Sequence, residues 1–468
     1  MTKKDYLALS VLLSAGFVTI FDLFVVNVAI ANIQLHLHAS LFQVTLVIVT
    51  YEIGFGLLLI TGGRLGDLFG RRRLFQLGVL AFTLTSLLCG LAPTTTFLIF
   101  ARFLQGLSAA LLFPQVYASI RVSFDDDNRR RAFGLLGMTL GFAAIAGQTL
   151  GGWMIFVNLW DLQWRSIFLV NVPIGLLALI FSGYFNESIA QKKTELDLSG
   201  VALSSMGISA LLLPLLVGST LGWPIWCWAL LFLACLMLLQ FIRHEKRYVA
   251  KGKTPLFNFD LLKNKQFSLG CLLVLFVYST SSSFFLVFAL FLQNGLGFNA
   301  LDAGLIFAPA SIGFVLSSLN APYWVKRVGG KAIMAGGLLY MLSFIALIVA
   351  INSLLPANSS ITASLFVIVP ILILLGYGQG FVMTPLLNIV LAFVNMKFAG
   401  MASGVIATLQ QIGAAFGVAI VSMLVQWHFT EIDTPSFVTY QNAFVHSMLY
   451  NVIATFIAFY LLRKLHRN

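Results

Sequence analysis

Charged residues are scarce in this chain. They make up 9% of its 468 residues, whereas a soluble domain carries about 25%. Hydrophobic residues reach 59%, so the sequence excludes a soluble globular protein and predicts an integral membrane protein. The longest polar stretch, residues 243–266, is too short for a nucleotide-binding domain, and no glycine-rich loop ends in Gly-Lys-Ser/Thr. We therefore do not expect this chain to use ATP as its direct energy source.

Side chains that bind metals or form catalytic triads are also few. The four cysteines, at positions 89, 227, 235 and 271, lie in apolar runs without the spacing of metal ligands. The six histidines are scattered, and no Ser-His-Asp arrangement stands out. We expect no metal, no cofactor and no enzyme activity.

Long apolar runs are what the sequence has in abundance. A transmembrane helix needs ~20 apolar residues. Runs close to that length occur at about 7–31, 43–63, 74–92, 97–119, 132–154, 165–185, 199–218, 223–242, 267–292, 301–322, 332–351, 361–387, 399–425 and 443–462. The sequence therefore predicts fourteen spans, of which the seventh and eighth are separated only by residues 219–222.

The net charge of +12 is explained by membrane topology rather than by binding to a nucleic acid. If the N-terminus is cytoplasmic, all 28 lysines and arginines except Arg102 and Arg165 fall on cytoplasmic loops or chain ends. This asymmetry is the positive-inside rule. It predicts that both termini are cytoplasmic and that nucleic acid is not a partner.

Three charged side chains lie well inside the apolar runs: Asp22, Glu52 and Arg102. A charge at the bilayer centre costs roughly 2.5–3.5 kcal/mol, so each needs a partner, water or neutralisation. At ~1.5 Å per residue, Asp22 lies ~27 Å from Lys4 and Arg102 ~28 Å from Arg121. Both references are predicted to be cytoplasmic, so Asp22 and Arg102 share one depth and can pair.

Two interpretations of these charges are open. A carboxylate in an alternately hydrated cavity binds a proton or a cationic substrate, and this competition is the simplest mechanism of antiport. In that interpretation Asp22, Glu52 and Arg102 form the proton-coupling site, and Arg102 keeps Asp22 ionised until protonation releases it. In the other interpretation the ion pair only fixes helix packing, and Glu52 stays protonated.

A weak internal repeat suggests two halves. Gly70–Gly78 is echoed by Gly329–Gly337, and the pair Gln105-Gly106 is echoed by Gln379-Gly380. Two six-helix halves with an inserted helix pair explain the offset, and repeated halves are how secondary transporters build a central site. We predict bundles at 1–187 and 267–468, two additional helices at 188–243 and a cytoplasmic linker at 244–266.

The segment between the second and third runs is Gly62-Gly-Arg-Leu-Gly-Asp-Leu-Phe-Gly-Arg-Arg-Arg73. Its acid and its arginines cannot lie in hydrocarbon, so it is predicted to form a cytoplasmic hairpin. Its glycines let two helix ends approach closely and the chain turn sharply. The pattern resembles the loop between the second and third helices of major facilitator superfamily transporters.

Further segments are similar to the fourteen-helix drug:proton antiporter family of that superfamily, over nearly the whole chain. In order, they are Asp22-Leu-Phe-Val-Val-Asn-Val-Ala29, Arg102-Phe-Leu-Gln-Gly-Leu-Ser-Ala-Ala110, Trp164-Arg-Ser-Ile-Phe-Leu-Val-Asn-Val-Pro-Ile-Gly175, Leu196-Asp-Leu-Ser-Gly200 and Gln411-Ile-Gly-Ala-Ala-Phe-Gly417. The resemblance implies an all-α membrane protein with the major facilitator fold, two six-helix bundles and two linking helices. It implies a cytoplasmic gate, locked by Asp67 and Arg71, at Gly63, Arg64, Gly66, Asp67, Gly70, Arg71 and Arg72.

One segment departs from that family. Exporters of the superfamily carry a Gly-Pro-x-x-Gly-Gly bend in the fifth helix, and here the segment is Gly147-Gln-Thr-Leu-Gly-Gly152. The glycines at 147, 151 and 152 are predicted to keep close helix packing, while the proline kink is lost. Gln148 replaces the proline, and either contacts substrate or forms an interhelical hydrogen bond.

Among the remaining predicted substrate contacts, Asn27 is the amide that the resemblance places in the first-helix motif. The others are polar side chains inside spans: Gln105, Ser281, Ser282 and Gln379. The two serines belong to Ser279-Thr-Ser-Ser-Ser-Phe284, which is rich in hydroxyls for a span. Hydroxyl bonding between helices is the alternative explanation of that segment, and we favour it slightly.

Together these features predict a proton-coupled exporter of drugs or amphipathic small molecules in the bacterial inner membrane. Its partners are then protons, a small-molecule substrate and the lipid bilayer, and the protein is expected to be a monomer. An exporter of one metabolite, such as a siderophore, and a proton-coupled importer are the alternatives. A non-transporting receptor or a membrane enzyme is the least favoured.

Overall fold

The structure of the chain is a computed structural model that describes residues 3–184, 187, 196–298, 300–354, 361–429 and 436–467. Across these ranges it is helical and contains no β-strand. The helices are α1 Lys3–Leu37, α2 Leu41–Phe69, α3 Arg71–Gly90, α4 Thr95–Ser123, α5 Asp126–Val157, α6 Ser166–Leu169, α7 Asn171–Phe181, α8 Leu198–Val217, α9 Ile225–Ala250, α10 Lys265–Leu290, α11 Ala300–Val328, α12 Gly330–Leu354, α13 Ile361–Ala392, α14 Ala399–Phe429 and α15 Phe437–Arg467.

Fourteen helical segments of the described chain are long and apolar enough to cross a membrane. The short helices α6 and α7 follow each other within one of these segments, Gln163–Tyr184. Helices suit these spans because hydrocarbon offers no hydrogen-bond partner to the backbone, and a helix satisfies its N–H and C=O groups within the span itself. The predicted number of spans is confirmed.

Local chemistry sets the helix ends. Ser40 and Gln43 form a capping box at the start of α2, in which each side chain accepts a hydrogen bond from the other residue's backbone N–H. The boundary between α8 and α9, which the sequence marks only weakly, lies at residues 218–224. Gly222 and Trp223 have φ of 71° and 55° there, and Pro224 follows them. Neither left-handed backbone nor proline continues a helix, so two spans form here rather than one.

The chain forms two compact units. The first comprises residues 1–132, 146–268 and 390–411, and the second comprises 133–145, 269–389 and 412–468. The first unit relies on small residues, since a side-chain carbon at Gly54 would lie only 3.2 Å from the backbone nitrogen of Leu107. The second has an aromatic core that includes Phe284, Phe288 and Phe344. The predicted bundle and linker boundaries stay a prediction.

Candidate functional site

An ion pair lies within the first unit, away from its surface. Arg102 on α4 donates through Nη1 to Oδ2 of Asp22 on α1, and both residues are fully buried. Arg102 Nε also donates to the carbonyl of Val47 at 3.2 Å, and its guanidinium lies 4.1 Å from the ring centre of Tyr51. The pairing expected from helix depth is confirmed, and each charge offsets the desolvation of the other.

Two amide side chains complete the surroundings of the Asp22 carboxylate. Gln105 Nε2 donates to Asp22 Oδ1 at 3.1 Å, and Asn171 Nδ2 donates to the same oxygen at 2.9 Å. Gln105 also accepts from Arg102 Nη1 at 2.7 Å. Both amides donate to Ser86 Oγ at 3.1 Å. We call Asp22, Arg102, Gln105, Asn171 and Ser86 the Asp22 network.

Asn171 and Ser86 are site residues that were not predicted from the sequence. Asn171 begins α7, which continues from α6 through helical backbone at Val170, and its amide reaches Asp22. The available signal was a polar amide within an apolar run, flanked by Val170 and Val172. Gln105, expected as a substrate contact, lies fully buried within the network, and its contact with substrate stays a prediction.

The structure does not bring Glu52 into this network. Glu52 is half-buried on α2 and forms no hydrogen bond or ion pair with any residue that the structure describes. Its neighbour Tyr51 donates to the carbonyl of Thr19 at 3.0 Å. Asn27 is exposed on α1, and the side chain of Gln148 lies outside the described part of the chain.

A second polar cluster lies in the second unit and is made of hydroxyl and amide groups. Gln379 Nε2 donates to Ser281 Oγ at 2.7 Å, which joins two predicted cavity residues, and Ser282 is half-buried beside them. Neighbouring hydroxyls of α10 form hydrogen bonds with other helices, which is the alternative explanation given above for the hydroxyl-rich segment 279–284. These bonds are Tyr450 to Ser279 at 2.8 Å, Thr280 with Tyr340 at 3.2 Å, and Ser283 to Asn451 at 2.5 Å.

The 62–73 segment makes a set of contacts around Asp67. Arg71 Nη2 and the backbone N–H of Gly400 donate to Asp67 Oδ1 at 2.7 and 3.1 Å, and the N–H of Met401 donates to Oδ2 at 2.8 Å. Arg71 also donates to the carbonyl of Met396 at 3.3 Å. The carboxylate thus binds free N–H groups at the start of α14, where the helix dipole favours negative charge. We call Asp67, Arg71, Gly400 and Met401 the Asp67 latch.

Glycines make this approach possible. A side-chain carbon at Gly63 would contact the Gly400 carbonyl and lie 3.0 Å from Gly404 Cα, and one at Gly66 would lie 2.8 Å from the amide carbon of Gln115. Gly70, which separates α2 from α3, has φ of 101°, a conformation that favours glycine. The remaining gate residues are Arg64, which is buried, and Arg72, whose N–H donates to Glu187 at 3.1 Å.

The glycines of α5 differ from one another. A side-chain carbon at Gly147 would lie 2.9 Å from the carbonyl of Phe21, and one at Gly151 would lie 3.1 Å from Val28. At Gly152 it would meet nothing within 4 Å, so the close packing expected there is absent. Residues 147 and 151 share a helix face, whereas residue 152 is rotated away from it.

Comparison with known proteins identifies the family. Residues 12–200 and 196–418 match the sequence model of the Major Facilitator Superfamily. This chain belongs to the major facilitator superfamily. It is 33% identical to the probable actinorhodin transporter of Streptomyces coelicolor, over 90% of this chain and 72% of that protein. It is 30% identical to the multidrug resistance protein Stp of Mycobacterium tuberculosis, over 88% of this chain and 74% of that protein.

A solved structure agrees at the level of fold. The human organic anion transporter MFSD10 superposes on 99% of this chain and 100% of its own with a TM-score of 0.65, at 14% sequence identity. The predicted fold class, an all-α membrane protein of the major facilitator fold with fourteen spans, is confirmed. The relatives agree with the drug:proton antiporter family predicted from the motifs.

Proposed function

We propose that this chain is a proton-coupled exporter of drugs or amphipathic small molecules that works by alternating access. In this proposal it is a monomer in the bacterial inner membrane, with both termini cytoplasmic, and it performs no enzymatic reaction. The relatives named for actinorhodin transport and for multidrug resistance support the substrate class. Family membership supports transport itself.

The Asp22 network is the observation that carries proton coupling. Asp22 and Arg102 form a buried pair with no net charge, and two amides hold the same carboxylate. Adding a proton to Asp22 removes the negative charge and leaves Arg102 as an uncompensated buried cation. Such a charge is costly, so protonation forces the helices that carry these residues to rearrange.

Glu52 serves as a second proton site in this mechanism. Its side chain is half-buried and forms no hydrogen bond or ion pair with a described residue, which leaves its carboxyl group available to a proton. Asn27, Gln148, Ser281, Ser282 and Gln379 are the proposed substrate contacts. Gln105 is also a proposed substrate contact, and from its place against Asp22 and Arg102 it orients their charges.

The Asp67 latch is the proposed cytoplasmic gate. It joins the end of α2 to the start of α14, which lies more than three hundred residues further along the sequence. Opening the cytoplasmic side separates these segments and exposes the Asp67 carboxylate to water. The glycines at 63, 66 and 70, together with Arg64 and Arg72, shape the surfaces that close again.

The test is proton movement in inverted membrane vesicles that contain the full chain. Respiration acidifies the vesicles, a pH-sensitive dye reports the gradient, and lipophilic cations are added in turn. We expect a cation to release protons from vesicles with the native chain and not from vesicles with Asp22→Asn. Asp127→Asn is the matched control, since Asp127 forms an exposed ion pair with Arg130, and it should behave like the native chain.

Either of two results contradicts the proposal. Full proton release with Asp22→Asn removes Asp22 from the mechanism. No release by any cation of a broad panel, while a control exporter responds, argues against multidrug antiport. The second candidate is then an exporter of one compound. A relative whose name gives a single compound, actinorhodin, favours it.

A further inference from the structure

A cleft lies where α9 leaves the membrane and meets the linker. Its volume is about 460 Å³. One wall is the last part of α9, and the other is the segment 258–263. Four apolar side chains, Ile242, Val249, Phe259 and Leu262, share the lining with the cations Lys246 and Lys263 and with Glu245, Asn258 and Asp260. An apolar surface beside positive charge suits an amphipathic anion.

The apolar part of the cleft continues the membrane-facing surface of α9. Of the fourteen candidate spans, α9 has the smallest buried share, 17%. Phe232, Leu236 and Leu239 are about half or more exposed on it. At helical spacing these residues lie on the same broad face as Ile242 and Lys246. An acyl chain along this face therefore places its headgroup at the cleft.

Positive charge dominates the surroundings of the cleft. Residues 243–265 contain the cations Arg243, Lys246, Arg247, Lys251, Lys253, Lys263 and Lys265, against the two acids Glu245 and Asp260. Asp260 pairs with Lys263 at 2.6 Å, so it offsets one lysine of the cleft. Glu245 is buried and accepts from the N–H of Leu256 at 3.0 Å. Lys246 has no carboxylate partner within the described chain, so its charge is available to a ligand.

Hydrogen bonds fix the linker wall of the cleft. Glu245 holds the backbone at Leu256, and the N–H of Asn258 donates to Met401 Sδ at 3.3 Å. The cleft is thus formed before a ligand arrives, and little ordering is needed on binding.

We propose that this cleft binds an anionic glycerophospholipid of the surrounding leaflet. The phosphate lies at Lys246 and Lys263, and an acyl chain follows the exposed face of α9. Basic clusters directly beyond a span, and basic pockets at this depth, recognise anionic headgroups. The proposal requires a membrane-embedded chain and is independent of proton coupling and of the exported substrate.

The test uses the purified, delipidated full-length chain and dioctanoyl phosphatidylglycerol as the probe, with binding measured by native mass spectrometry and by titration. The double variant Lys246→Gln, Lys263→Gln should bind about tenfold more weakly, as each cation near the surface contributes ~1 kcal/mol and Asp260 offsets part of one. The matched control is Lys251→Gln, Lys253→Gln, which removes two linker cations outside the cleft. It should bind like the native chain.

Three outcomes overturn the proposal. Equal loss in the two double variants shows diffuse attraction to the linker rather than a site. Equal binding of dioctanoyl phosphatidylcholine shows that the anionic charge is not recognised. Displacement of the lipid by inorganic phosphate at similar concentration shows an anion site that makes no use of the acyl chain.

Discussion

Three donors surround the buried carboxylate of Asp22, and each of them favours its ionised form. Arg102 supplies the opposite charge, while Gln105 and Asn171 satisfy the second oxygen. Hydrogen bonds to a charged group contribute more than those between neutral groups, about 1.5–3 kcal/mol each. Each amide is therefore expected to affect how readily the ion pair breaks, and so, in the proposed mechanism, how transport couples to protons.

The first prediction concerns Asn171→Ala. The substitution removes one donor to Asp22 and leaves Arg102 and Gln105 in place. We expect proton-coupled transport to fall at least roughly tenfold, the equivalent of one hydrogen bond to a charged group. Substrate-driven proton release in inverted vesicles measures this loss. Exchange of labelled for unlabelled substrate, which needs no net proton movement, should fall much less.

Gln76→Ala is the control for that substitution. Gln76 donates to Ser182 Oγ at 2.8 Å, a neutral bond between α3 and the end of the sixth span. It removes an amide of the same first half without touching Asp22, so coupling should persist. Native coupling in Asn171→Ala, or an equal loss in Gln76→Ala, would show that Asn171 has no special role.

The Asp22 network shows how far the contacts of single residues can be predicted from the sequence. Rise per residue along straight helices placed Asp22 and Arg102 at one depth, and they do pair. The same arithmetic could not find Asn171, since its position depends on the irregular turns at Leu159–Asp161 and Gln163–Arg165 that precede the sixth span. Gln105 differs from Asn171, because it lies three residues after Arg102 and helical spacing alone places it on the same face of α4 as the ion pair.

At the scale of helices, the contact between α2 and α14 depends on the absence of side chains. Gly63 lies against the backbone at Gly400 and Gly404. Without a hydrophobic drive between helices in lipid, such contacts rely on close packing of backbones. The glycine-rich segment predicted a close approach here, but nothing in it identified α14 as the partner, which lies more than three hundred residues further along.

The second prediction compares two glycines by thermal unfolding. Gly63→Ala places a methyl group against backbone atoms, which cannot move aside as a flexible side chain can. Overpacking of this kind costs about 1–3 kcal/mol, so the unfolding temperature of the purified chain should fall by roughly 2–5 °C. The measurement is thermal unfolding followed by intrinsic fluorescence in detergent.

Gly152→Ala is the matched control on α5. A methyl group there meets nothing within 4 Å, and alanine favours a helix over glycine by about 0.5–1 kcal/mol. Its unfolding temperature should stay the same or rise. A fall in Gly152→Ala as large as in Gly63→Ala would mean that general helix perturbation, not the α2–α14 contact, determines the result.

At the scale of the whole molecule, composition and charge placement predicted the number of spans. Both signals are averages over ~20 residues, so they tolerate errors at single positions. The compact units were not predictable in this way. Residues 133–145 and 390–411 belong to units that their place in the sequence does not suggest, because long-range packing decides them.

The third prediction concerns which membrane side each loop occupies. The sequence separates the seventh and eighth spans only weakly, and the structure breaks them at residues 218–224. Alkaline phosphatase, which is active only outside the cytoplasm, is inserted after Gly222 or after Thr254. We expect activity at Gly222 and none at Thr254, because the seven cations of residues 243–265 hold that loop in the cytoplasm. Green fluorescent protein, which folds in the cytoplasm, should fluoresce at the C-terminus.

The two insertion sites test the helix pair directly. If α8 and α9 formed a single crossing, every later loop would change sides, and alkaline phosphatase after Thr254 would be active. The basic linker and the C-terminal cations Arg463, Lys464 and Arg467 would then lie outside, against the charge rule that the rest of the chain follows. Insertion after Asn158, between the fifth and sixth spans, is the internal reference and should be active in either case, since it precedes the pair in question.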